Sequence, residues 1–136
     1  MKNFINRYYP VMAWAGLIFF FSSLQTPPSP PDTILNFVLK KSAHIFEYAV
    51  LYWLTSRAVN FARSCDVPIK SGEANKRHMG FNYFGPFIFV LIYAIFDEIH
   101  QSFVPNRHAK IYDVGFDSIG ALLVIFRLYR HRNSRQ

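Results

Sequence analysis

Apolar positions in this chain gather into four long runs separated by polar segments, and no run alternates apolar with polar residues. The first, Tyr8 to Leu24, has seventeen residues without a charge. At a helical rise of about 1.5 Å per residue it nearly matches a hydrocarbon layer of about 30 Å. The second runs from about Ser42 to Ala62 and carries His44, Glu47 and Arg57. The third, Phe81 to Phe96, is uncharged for sixteen residues and then meets Asp97 and Glu98. The fourth, about Asp113 to Tyr129, holds Asp117 in its first turns and Arg127 at its end. Strands half-covered by a core would alternate, and an open sheet edge would leave unpaired backbone groups in lipid. The pattern therefore predicts an all-α fold. It is a single domain, residues 1–136, forming a four-helix transmembrane bundle with helices near 8–24, 42–62, 81–101 and 113–129.

The connections differ in character. Gln25 to Asp32 contains Pro27, Pro28, Pro30 and Pro31, a stiff extended segment that cannot continue a helix. Arg63 to Gly80 is polar and basic and reads as a loop. Ser102 to Tyr112 is short and polar, and Pro105 within it stops the third helix. The first run ends in Ser22-Ser23-Leu24-Gln25 without a small-x-small cleavage pattern, so it reads as a retained span rather than a cleavable signal.

Composition strengthens the membrane reading. Apolar residues make up 51% of the 136 positions, and there are fifteen Phe against six Gly. A soluble domain of this size has too little interior for so many rings. The net charge of +7 would suit nucleic acid. However, the basic side chains fall between apolar runs and no nucleic-acid recognition motif accompanies them, so the charge reads as topological. The amino terminus, middle loop and tail, with their helix ends, hold Lys2, Arg7, Arg57, Arg63, Lys70, Lys76, Arg77, Arg127, Arg130, Arg132 and Arg135, eleven in all. The opposite face receives four: Lys40, Lys41, Arg107 and Lys110. Eleven against four predicts both termini in the cytoplasm. Cys65 is the single cysteine, which rules out an intrachain disulfide.

This orientation collects polar residues at the outer face. His44 and Glu47 begin the second span, Asp97, Glu98, His100 and Gln101 end the third, Asp113 and Asp117 begin the fourth, and Arg107 lies between. Five of the eight acids thus share one membrane face: Glu47, Asp97, Glu98, Asp113 and Asp117. Ionisable groups at membrane depth are expensive unless they face a bundle interior or water. Spacing favours convergence. His44, Glu47 and Tyr48 share a face, as do Glu98 with Gln101, Asp97 with His100, and Asp113 with Asp117 and Gly120. Gly120 and Ala121 are small enough to admit a neighbouring helix. Plainer roles stand beside these. Asp113 suits an N-cap, His44 and Glu47 suit the headgroup layer, and Arg107 suits a lipid phosphate or a salt bridge to Glu98.

These residues resemble the VanZ-like family of bacterial membrane proteins. The likeness lies in Lys41-Ser42-Ala43-His44 through Tyr48 and, more strongly, in Asp97-Glu98-Ile99-His100-Gln101-Ser102-Phe103-Val104-Pro105-Asn106-Arg107. It continues through Asp113-Val114 and Asp117-Ser118-Ile119-Gly120, and Ser22-Ser23 fits the same pattern. Two positions depart from it: Asp117 stands where the family favours Asn, and Lys40-Lys41 where an Asp-Lys pair is common. The resemblance implies a multi-pass protein of the bacterial cytoplasmic membrane and cell envelope. The family's namesake is linked to low-level resistance to the glycopeptide teicoplanin.

Three functions fit the cluster. The first is binding of an amphiphile, such as a lipid-linked cell-wall component or a lipoglycopeptide. Lys41, His44 and Arg107 would meet its phosphate or carboxylate groups, and Tyr48, Glu98, Gln101, Asp113 and Asp117 would complete the site. A second is an intramembrane enzyme acting on a lipid phosphate or acyl group. Glu98 would be its base, His44 or His100 its proton shuttle and Arg107 its electrostatic stabiliser. The third is a structural partner protein whose charges fix helix register. No cofactor is expected, although Asp113 and Asp117, four apart, are candidate ligands for a divalent cation. Membrane lipids are the expected surroundings, and the oligomeric state is left open.

Overall fold

The computed structural model describes residues 2–24, 34–66, 74–105 and 111–134. Each apolar run falls in one helix, Leu24 alone lying past the end of α1: α1 (Lys2–Ser23), α2 (Ile34–Asp66), α3 (Ala74–Ser102) and α4 (Ile111–Asn133). No strand occurs among the described residues. All four helices outrun the apolar stretches that predict them. Hydrophobicity marks only the part suited to an apolar layer, whereas Lys, Arg and Asn in the flanks continue a helix at small cost. The middle loop is correspondingly shorter than expected, because Arg63–Asp66 and Ala74–Gly80 are helical. The proline-rich linker, residues 67–73 and Arg107 lie outside the described residues. At the end of α3, Phe103 N–H donates to His100 O at 3.0 Å and Val104 N–H to Gln101 O at 3.1 Å. This tightened last turn sits just ahead of Pro105.

Contacts between helices fix the topology. Tyr52 Oη donates to Tyr83 O at 3.2 Å, and the Tyr48 and Tyr93 rings lie 6.3 Å apart, so α2 and α3 run antiparallel. Lys41 faces Asp113, His44 faces Asp117, and Ile45 and Ala49 back onto Gly120, so α2 and α4 run parallel. Tyr93 Oη donates to Ala15 O at 2.6 Å while Asp97 meets Ser22, which makes α1 parallel to α3. The chain is therefore an up-down-up-down bundle. The start of α1 and the end of α4 share one end; Ser22, Lys41, His44, Asp97, Gln101, Asp113 and Asp117, drawn from all four helices, share the other.

The α2–α4 contact is the most extensive. It depends on Gly120, where an added Cβ would stand 2.1 Å from Ile45 O and 3.0 Å from Ala49 N. Only a residue without a side chain allows the two backbones to come this close.

Polarity is arranged unlike that of a soluble globule. The interior includes Ile18, Tyr48, Leu51, Tyr52 and Val90, but also Ser22, Thr55, Ser56, Asp97, Glu98, Gln101 and Asp117. The exterior carries Phe20, Phe21, Phe84, Phe96, Leu123 and Phe126. One stretch, Tyr83–Ser102, is long and apolar enough to cross a membrane, and only 22% of its most apolar window is buried within the protein. Packing against the protein's own core therefore leaves most of that surface unaccounted for.

Candidate polar site at one end of the bundle

Two parallel helix pairs build the site. Along α2 and α4, Lys41 Nζ pairs with Asp113 Oδ1 at the outer rim. The Lys41 ammonium also lies 5.9 Å from the Tyr112 ring centre and 5.4 Å from that of Phe116. One turn deeper, His44 Nδ1 lies 3.4 Å from Asp117 Oδ1. Steps of three residues on α2 and four on α4 both advance about one turn, so parallel helices keep successive pairs in register. On α4 exposure falls from 20% at the Asp113 side chain to 3% at Asp117, whereas on α2 the Lys41 and His44 side chains are 16% and 24% exposed.

Along α1 and α3 the arrangement differs. Ser22 Oγ donates to Asp97 Oδ2 at 2.8 Å, and Gln101 Nε2 donates to the same oxygen at 2.7 Å. Gln101 Nε2 also lies 3.3 Å from Ser22 Oγ. A carboxylate only accepts, so the Gln101 amide nitrogen must face it. Ser23 Oγ donates to Phe19 O at 2.7 Å and lies 3.0 Å from His100 Nε2. Since the single hydroxyl proton is committed to Phe19 O, His100 donates from Nε2. The Phe19 ring stacks on His100 at 4.2 Å.

Tyr48 joins the two pairs. It is fully buried, and its hydroxyl has both Asp97 and Asp117 within electrostatic reach. Asp97 also lies within reach of His44 and Asp117. Five interior atoms here make no hydrogen bond: His44 Nδ1, Tyr48 Oη, Asp97 Oδ1, Asp113 Oδ1 and Asp117 Oδ1. Asp113 Oδ1 faces Lys41 and Asp117 Oδ1 faces His44 as ion pairs instead.

Of the residues expected at the site, Lys41, His44, Tyr48, Glu98, Gln101, Asp113 and Asp117 lie at this end, with Glu98 buried. His100 is at the same end but turns to Ser23 on α1. Asp113 stands in the first turn of α4 and pairs with Lys41 across the seam, which replaces the N-cap reading. Gln101 serves Asp97, four residues back, rather than sharing a role with Glu98. Asp97, placed in the cluster, and Ser22, placed in the family pattern, were given no role by sequence reasoning, and here they are partners. The Asp97-x-x-x-Gln101 spacing was a usable signal, while nothing local ties Ser22 to a residue 75 positions away. No group of three His, Cys, Asp or Glu side chains able to hold a metal converges among the described residues.

A family model described as VanZ/LLP1 matches residues 4–130, nearly the whole chain and all four helices. The chain belongs to the VanZ/LLP1 family. The match takes in both helix pairs of the site, from Ser22 to Asp117. No curated protein and no solved structure matches this VanZ/LLP1 chain.

Proposed function

We propose that this VanZ/LLP1 protein crosses a bacterial cytoplasmic membrane four times, with both termini on the cytoplasmic side. In this reading it receives the headgroup of an envelope amphiphile in the polar end of its bundle. The observation that carries the proposal is the inverted polarity: Asp97, Asp117, Glu98 and Gln101 buried inside, Phe20, Phe96 and Phe126 displayed outside. In lipid an apolar exterior is the stable one, and buried ionisable groups belong at functional sites. The excess of Lys and Arg at the end that holds the start of α1 and the end of α4 supports the orientation. The polar site then faces the side where cell-wall precursors and glycopeptide drugs are met. The partly exposed Lys41, Asp113 and His44 side chains offer a headgroup a way in toward the buried Asp117, while an acyl chain lies along the outer Phe surface. Capture of a lipid-linked wall component or a lipoglycopeptide would alter susceptibility to teicoplanin.

Binding of a fluorescent lipoglycopeptide and of a polyprenyl-linked lipid carrier to the full chain in detergent tests this. Saturable binding is expected, weakened at least about tenfold by His44→Ala with Asp117→Ala, the loss of a charge-assisted contact or two. Absence of saturable binding, or equal binding by a folded double variant, would reject the proposal.

A further inference from the structure

At the end of the bundle away from the polar site, α2 and α4 carry the same device twice. The Arg57 guanidinium lies over the Trp53 ring at 5.7 Å, and that of Arg130 over the Phe126 ring at 5.8 Å. In both, the ring precedes the arginine by four positions. The Lys41–Asp113 and His44–Asp117 pairs set an offset of 72 to 73 positions between these parallel helices. An offset of 73 takes Trp53 to Phe126 and Arg57 to Arg130, so the two ring–arginine pairs stand at one level. They also share a face. Each step along a helix turns about 100°. Trp53 and Arg57 therefore lie about a quarter turn from Ile45 and Ala49, which back onto Gly120, and away from Tyr48 and Tyr52, which meet α3. On α4, Arg127 and Arg130 fall on the side of Gly120 opposite the buried Ala121. All three arginines are exposed, on the outer face of the α2–α4 seam.

We infer that Arg57 and Arg130, with Arg127 beside them, hold the headgroup of one inner-leaflet phospholipid that carries two phosphates. The inference rests on the membrane-spanning reading but not on the amphiphile proposed for the opposite end. Depth fits it: Arg57 lies sixteen positions past Lys41 and Arg130 seventeen past Asp113, about 24 and 26 Å of helix. Long side chains reaching outward bring that span to a hydrocarbon layer of about 30 Å, which sets the guanidiniums among phosphates. Charge fits as well. Among the described side chains none of the three arginines meets a carboxylate, and Glu47, Asp97, Glu98, Asp113 and Asp117 all lie toward the other end. An uncompensated cation at the border of the apolar layer is costly, and a lipid phosphate is the counter-charge at hand. The rings hold each guanidinium at the surface without using its N–H donors, which stay available for paired bonds to phosphate oxygens. Exposed Trp53 and Phe126 then flank the upper acyl chains. Two guanidiniums at one level favour two phosphates on one molecule, because the second contact becomes intramolecular once the first is made.

Native mass spectrometry of the full chain released from maltoside micelles tests this by counting bound lipid during titration. The probes are diphosphatidylglycerol, phosphatidylglycerol, phosphatidylcholine and sodium pyrophosphate without lipid. One diphosphatidylglycerol per chain is expected, bound at least about tenfold tighter than phosphatidylglycerol and more so than phosphatidylcholine. Arg57→Gln with Arg130→Gln should weaken it at least about tenfold and bring it level with phosphatidylglycerol. Arg57→Lys with Arg130→Lys, which keeps the charge but loses the planar fork, should weaken it about threefold. Lys40→Gln removes an exposed cation at the opposite end and should leave the affinity unchanged. The melting temperature of each variant shows that it is folded. Equal affinity for diphosphatidylglycerol and phosphatidylglycerol, undiminished binding by the folded glutamine variant, or an equal loss in Lys40→Gln would overturn the inference. So would pyrophosphate binding as tightly as the lipid, which would mark a site for free phosphate. Each of these results leaves the reading of the polar end untouched, since none involves its residues.

Discussion

The two parallel helix pairs answer one problem in different ways. Each buries an aspartate at the same end of the bundle. On the α2–α4 seam, Asp117 is opposed by His44, and Lys41 and Asp113 repeat the pairing one turn outward. On the α1–α3 seam, Asp97 is held by a serine and a glutamine, donors that orient a carboxylate without neutralising it. Opposed charges offset each other on the first seam, whereas the donors on the second orient a carboxylate without supplying a counter-charge. The seams also differ in tightness, since α2 and α4 meet backbone to backbone at Gly120.

The severest way to break this contrast is at Gly120. Gly120→Val must push α4 off Ile45 O, and overpacking of this kind costs typically about 1–3 kcal/mol, here at the top of that range or above it. Thermal unfolding in detergent should fall sharply and membrane abundance with it. Gly115→Ala, whose new Cβ meets nothing within 4 Å, should instead leave stability unchanged or raise it by up to about 1 kcal/mol. Next comes Asp117→Ala. Breaking a buried pair costs about 3–5 kcal/mol. The partner His44 is 24% exposed and can shed its proton, which brings the expected loss to about 1–3 kcal/mol, read by the same melts.

Smaller effects sharpen the other side. Ser22→Ala removes one of the two donors to Asp97 and should lower stability by about 1 kcal/mol. Combined with Asp97→Asn the two changes should be clearly non-additive, because they share one hydrogen bond. Asp97→Asn alone should leave stability unchanged or raise it by up to about 1 kcal/mol, since it deletes an unneutralised interior charge. That sign is opposite to the one expected for Asp117. Lys41→Ala at the partly exposed rim should change stability by no more than about 1 kcal/mol.

Much of the fold was legible in the sequence because apolar runs long enough to form helices leave few alternatives. All four helices stand where the runs placed them. Their ends were less legible, since nothing in hydrophobicity marks where Lys2 or Arg63 joins a helix. The α2–α4 seam could be anticipated too: Asp113, Asp117 and Gly120 lie on one face by spacing, and that face meets α2. What periodicity does not supply is the identity of a side chain's neighbour on another helix. Lys41 and His44 looked like hands held out to an anion, but both point at aspartates. Glu98 stood out, yet its neighbour Asp97 forms the hydrogen-bonded centre, because one step along a helix turns a side chain by about 100°.

The shared polar interior depends on the meeting of α1 and α3 around Asp97. In a Cys65→Ser background, Ser22→Cys with Asp97→Cys can be oxidised in intact membranes and the product followed by its shifted mobility. The Ser22 and Asp97 side chains meet at 2.8 Å, and the prediction is efficient intrachain disulfide formation that reducing agent reverses. Two thiols that each react with a small maleimide but never with one another would place Ser22 and Asp97 apart, and the shared polar interior would not exist.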